Sequence, residues 1–113
     1  MTAPVERTVI GEFEILRIAD GTFLVDGGAM FGVVPRTLWE KRAAPDRENR
    51  ISLSLNCYLI RGRGRTVLVE TGVGPDVDRR YVDFYGFRRE PGLFRRLEEL
   101  GVRPEDVDVV VNS

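Results

Sequence analysis

The stretch that most constrains this chain is Ile51 to Gly74, ISLSLNCYLIRGRGRTVLVETGVG. Ile51, Leu53, Leu55, Cys57 and Leu59 alternate with Ser52, Ser54, Asn56 and Tyr58, the period of two that turns one apolar face inward. Val67, Leu68 and Val69 form a continuous apolar run rich in β-branched residues, as expected of a strand buried on both faces. Between them, Arg61-Gly62-Arg63-Gly64-Arg65 supplies glycines able to take positive φ. These features predict an antiparallel hairpin. Its second strand must end at Glu70-Thr71-Gly72-Val73-Gly74-Pro75, where pairing stops and the backbone turns.

The chain has 113 residues, enough for one domain or part of one. Hydrophobic residues at 42% and charged residues at 31% are those of a globular protein. No apolar run approaches the roughly 20 residues of a membrane span, and Met1 to Val9 lacks the pattern of a secretory signal. A cytoplasmic protein with no membrane partner is the expectation. Seventeen basic and 18 acidic residues give a net charge of −1, so no global field attracts nucleic acid. Cys57 is the single cysteine and reads as a buried core thiol. The chain has no histidine, which removes Ser-His-Asp catalysis, Cys-His catalysis and any histidine-based zinc site from its own repertoire.

Before the central hairpin, Thr8 to Ile18 and Thr22 to Val25 read as strands of a first hairpin, with Asp20-Gly21 as its turn. Asp26-Gly27-Gly28-Ala29-Met30-Phe31-Gly32 reads as a glycine-rich loop. It could close over a ligand, or it could simply tuck Met30 and Phe31 into the core. Pro35 to Arg42 fits a short helix with Leu38 and Trp39 on its apolar side, Trp39 serving packing. Ala43 to Arg50 is a polar connector. Pro75 to Phe87 supports a weak helix or ordered loop. Pro91 to Leu100 predicts an amphipathic helix with Leu93, Phe94, Leu97 and Leu100 on one side and Gly101 as its cap. Val107 to Val111 reads as an interior strand, so the end of the sequence itself looks interior.

Gly72-Val73-Gly74-Pro75-Asp76-Val77 opens like a dinucleotide fingerprint, but Val77 stands where the third glycine belongs and Pro75 has no amide to donate. A nucleotide site at Val69 to Gly74 is the weakest of the readings. Glu70, at the C-terminal end of an apolar strand, either orients a neighbour as a perturbed carboxylate or makes a structural hydrogen bond to turn amides.

The order of the segments resembles the metallo-β-lactamase-fold hydrolases, and Cys57-Tyr58-Leu59-Ile60 is similar to the lactonase-type members. Leu68-Val69-Glu70-Thr71-Gly72, Leu97-Glu98-Glu99-Leu100-Gly101, Arg103-Pro104-Glu105-Asp106-Val107-Asp108 and Val109-Val110-Val111-Asn112-Ser113 follow in the family's sequence. Glu70 replaces the usual aspartate. The resemblance implies an α+β fold: the N-terminal half of an αββα sandwich, with a mainly antiparallel or mixed sheet and two or three helices. Residues 1–113 would form a single, incomplete domain ending just before a His-x-His-x-Asp-His metal motif.

The implied activity is that of a metal-dependent hydrolase using zinc or another divalent metal. A metal-bound hydroxide would attack an ester, lactone, amide or related bond. The metal ligands lie downstream in this reading, so residues 1–113 hold no metal by themselves and are inactive in isolation. Glu70, Thr71 and Gly72 would support the metal site from behind, and Met30 and Phe31 would border the pocket of a small-molecule substrate. The implied partners are the remainder of the chain's own domain and a possible second copy. The contrasting expectation is a non-catalytic α+β interaction module that binds through the Met30-Phe31 loop.

Overall fold

In the computed structural model, which describes residues 5–89 and 91–113, one five-stranded sheet carries every strand in the order of the sequence. The strands are β1 (Glu6–Ile10), β2 (Phe13–Asp26), β3 (Arg50–Gly62), β4 (Arg65–Val69) and β5 (Val109–Val111). The first four pair antiparallel, and β5 joins β4 in parallel, making the sheet mixed. Among the described residues four short helices accompany them: α1 (Gly27–Phe31), α2 (Arg36–Trp39), α3 (Arg79–Tyr85) and α4 (Leu93–Glu99), with a 3-10 turn at Pro104–Asp106. The fold is therefore α+β, as expected.

The central hairpin forms in the expected register, with Leu59 opposite Leu68 and Ile60 opposite Val67. Its turn is tighter than the glycine-arginine run suggests. Only Arg63 (φ 52°) and Gly64 (φ 73°) lie outside the strands, and positive φ at both central positions matches the right-handed twist of the flanking strands. Across the register, Leu16, Leu59 and Leu68 stand side by side, as do Ile18 and Cys57. Leu93 and Leu97 of α4 and Val102 close over this face to complete the core. The amphipathic spacing of α4 thus buries Leu93 and Leu97, with Leu100 partly buried, whereas Phe94, expected on the same side, stays exposed.

The first hairpin differs from its expectation. The chain reverses at Gly11-Glu12, and β2 runs through Asp20-Gly21 as one 14-residue strand. The two residues form a register shift between Ala19 and Thr22. Such an irregularity bends the strand and re-aims a side chain without ending the sheet. Gly21 is required there because Thr22 exchanges both backbone hydrogen bonds with Arg88, at 2.8 and 2.9 Å. A Cβ on residue 21 would stand 2.5 Å from the Arg88 carbonyl oxygen.

Two other segments depart from their sequence reading. The glycine-rich loop is the helix α1, started by the Asp26 carboxylate, which accepts from the Gly28 amide at 2.7 Å. Val109 to Val111 pairs with β4 along one side only. Each valine is 42 to 50% exposed, so β5 is an edge strand among the described residues, not an interior one.

Cys57 is 0% exposed, and burial, followed by the nearby charges of Asp20 and Glu70, pushes its thiol up to about 11. The native protein should therefore leave Cys57 unmodified by an aromatic disulfide reagent at neutral pH. The Cys57 thiol should react once denaturant is added, and prompt labelling of Cys57 in the folded protein would contradict this placement.

Candidate functional site

At the C-terminal end of β4 the strand stops against a strained residue. Glu70 has φ 66°, a left-handed conformation that costs a non-glycine residue about 1 kcal/mol or more. The surroundings hold it there. The Glu70 amide donates to the Val111 carbonyl at 2.8 Å, extending the parallel β4–β5 ladder by one step. Its Oε1 accepts from the Ser113 amide at 2.6 Å and from the Ser113 hydroxyl. Glu70 thus orients a neighbour by hydrogen bonding, and that neighbour lies 43 residues away in sequence.

The Ser113 hydroxyl and then the Ser113 amide hold the Glu70 carboxyl below the usual carboxylate range. A depressed folded value means that the tie is present above the ordinary value of 4.5 and is lost as pH falls through the lower folded one. The Ser113 amide signal, followed by NMR on acidification, should therefore move with a midpoint below 4.5, and Glu70→Gln should abolish the transition. A midpoint at or above the ordinary value would show that the hydrogen bonds do not persist in solution.

Directly after Glu70, Gly72 (φ 68°) and Val73 form a turn that rests on Asp20. Asp20 is 3% exposed, and it is a site residue that the sequence reading assigned to a turn. Its Oδ2 accepts from the Val73 amide at 3.0 Å and from Arg89 Nη2 at 3.3 Å. Its Oδ1 accepts from the Leu93 amide at 2.9 Å. The residue before Leu93 is Gly92, which has no side chain to cap α4, so the carboxylate from β2 supplies that acceptor. Arg89 also donates to the carbonyls of Gly74 and Pro75, binding the far side of the same turn. This arrangement disfavours a nucleotide phosphate at Val69 to Gly74. The Val73 amide is already taken, and a carboxylate lies beneath the turn where an anion would have to approach.

Two cavities meet at this corner of the sheet. One, of about 410 Å³, is lined by Glu70 and Gly72 together with Phe23, Leu55 and Asn56. The Asn56 side-chain oxygen is buried there without a hydrogen-bond partner among the described residues. The second, of about 650 Å³, shares Phe23 and Leu55 and continues under α3 against Val73, Tyr81, Tyr85 and Phe87. Thr71 faces another cavity, beside Leu68, Leu93 and Val110.

Met30 and Phe31 are not among the residues lining the cavities that Glu70, Gly72 and Thr71 border. They sit on α1, where the Phe31 ring stacks on Trp39 at 5.0 Å and Met30 stays exposed. Trp39 is 4% exposed, the packing role expected of it. Among the described residues, no group of three or more His, Cys, Asp or Glu side chains is placed to hold a metal ion. The residues present therefore do not fit a metal centre by themselves.

A mixed sheet flanked by short helices, with a carboxylate tying the C-terminal ends of two adjacent parallel strands, defines an α+β scaffold. The sequence model of the metallo-beta-lactamase superfamily matches residues 52–113, and the chain belongs to that superfamily. A probable metal-dependent hydrolase from Staphylococcus aureus superposes with a TM-score of 0.87 at 29% identity, over 93% of this chain and 38% of its own. The hydrolase AbOPH of the beta-lactamase superfamily matches at 0.69 and 18% identity, over 99% of this chain and 36% of its own. AidC, a dizinc quorum-quenching lactonase, matches at 0.68 and 18% identity, over 96% of this chain and 35% of its own. The chain thus spans well under half the length of these structures. No curated protein sequence matches it.

Proposed function

We propose that residues 1–113 are the N-terminal portion of a metal-dependent hydrolase acting on an ester, lactone, amide or related bond of a small molecule. Zinc is the metal we favour, with ligands contributed from outside this stretch. The observation that carries the reading is the superfamily match over residues 52–113, within which Glu70 and Ser113 are tied together where β4 and β5 end.

The remainder of the domain is the partner this reading requires. Tyr58, Val69 and Val111 share a row on the sheet face opposite α4, as do Ile60, Val67 and Val109, and Tyr58, Val109 and Val111 are still substantially exposed. An apolar sheet face of this kind is stabilised when another layer covers it. A further strand paired along the free side of β5 would give it the interior position its sequence suggests.

The test is metal analysis of the purified intact protein alongside hydrolysis of a panel of p-nitrophenyl esters and lactones. We expect stoichiometric divalent metal, loss of hydrolysis on chelation and recovery on adding zinc. Hydrolysis that survives complete metal removal, or a metal-free protein inactive on the whole panel even with added zinc, would overturn the proposal.

A further inference from the structure

We propose that Asp20 is a positioning residue for the junction of Glu70 and Ser113, acting through the Gly72-Val73 turn. The bulge in β2 buries a carboxylate in the middle of a sheet strand, and its three hydrogen-bond partners among the described residues belong to distant segments: Val73, Arg89 and Leu93. Two of these bonds act on the loop that leaves β4. The Val73 amide is held directly, and Arg89, held by Asp20, grips the Gly74 and Pro75 carbonyls from the other side. A loop gripped on both sides cannot drift.

The residue that benefits is Glu70, two positions before Gly72. Its positive φ is a costly conformation that relaxes unless the chain on both sides is fixed. The β4–β5 ladder fixes the side before it, and the Asp20 clamp fixes the side after it. Relaxation of Glu70 toward negative φ would swing its carboxylate away from the Ser113 amide. Asp20 therefore sets where the β5 end lies without touching it. Gly72 is part of the same device, since a Cβ there would stand 2.1 Å from Asp20 Oδ2, so only glycine lets the turn settle onto the carboxylate. The consequence for catalysis rests on the hydrolase reading above; the positioning role rests on this geometry.

The alternative to be separated is a carboxylate that only caps α4 and adds general stability. Asp20→Asn distinguishes them, because an amide has a single acceptor oxygen and cannot serve both Val73 and Leu93 as the two carboxylate oxygens do. Amide hydrogen exchange, followed by NMR on the intact protein, should accelerate about tenfold at Glu70, Val73 and Ser113 relative to the Ile18–Cys57 ladder. Leu97→Ala, a core control, should instead speed all protected amides together.

Arg89→Lys keeps the charge but loses the fork whose Nη2 serves Asp20 and Gly74 while Nη1 serves Pro75. It should reproduce the local pattern more weakly, and it carries the test if Asp20→Asn does not fold. The proposal is overturned if Glu70 and Ser113 exchange only in step with the ladder, or are unchanged. A wild-type protein without metal or hydrolysis would instead overturn the hydrolase reading and leave the exchange result standing.

Discussion

Gly72→Ala should lower the unfolding free energy by about 3 kcal/mol, the sum of a left-handed backbone forced on alanine and a steric collision. The φ of 68° accounts for the smaller part. The larger part comes from the missing space, because the added methyl would lie 2.1 Å from Asp20 Oδ2 and 2.5 Å from its Cγ. Asp20 cannot step aside without releasing the Val73 and Leu93 amides, each then left without its acceptor. Gly64→Ala is the internal comparison. It has a similar φ of 73°, yet nothing lies within 4 Å of the new Cβ, so only the conformational cost of about 1 kcal/mol remains. Chemical denaturation of the two variants should separate them by about 2 kcal/mol. Equal losses would mean that the Gly72 turn does not rest on Asp20.

Leu59→Ala should cost about 3 to 4 kcal/mol by the same measurement, through a different mechanism. Leu59 is 0% exposed and stands between Leu16 and Leu68 in the central row of the sheet, under α4. Removing its branched side chain leaves a cavity walled by three strands and a helix, which have little freedom to collapse. Leu38→Ala removes the same atoms from a side chain that is 58% exposed on α2, where about 0.5 kcal/mol is the expected ceiling. A loss at Leu59 close to that at Leu38 would argue that the face under α4 is not the core.

The second of these predictions falls where sequence reading succeeds. Leu59 is legible because alternation along β3 depends only on the pleat, and any sheet pairing that buries one face must bury that set. The α4 helix is legible for the same reason at a different period. The LVETG end of β4, taken with the segments that follow, also marks the superfamily, since several matched pieces in order are hard to produce by chance. Asp20 is the opposite case. Asp-Gly is a strong local turn signal, and a reader of ten residues has no reason to prefer a bulge. The preference comes from Val73, Arg89 and Leu93, which lie 53, 69 and 73 residues away and together compensate the buried charge.

The glycine-rich stretch at 27–32 shows the same limit on a smaller scale. Its composition suggests a loop, but Gly27 is needed because the Trp39 ring lies against it, where a Cβ would meet the ring at 2.3 Å. Packing against Trp39 turns a flexible composition into a helix. Local period and residue type therefore determined the central hairpin, the burial of Leu93 and Leu97 on α4 and the buried thiol, because those depend on neighbours a few residues apart, and the order of the matched segments marked the superfamily. Tertiary structure alone decided that β2 bulges instead of turning, that β5 lies at an edge, and that Glu70 reaches Ser113. Each of these is fixed by hydrogen bonds between segments that only the folded chain brings together.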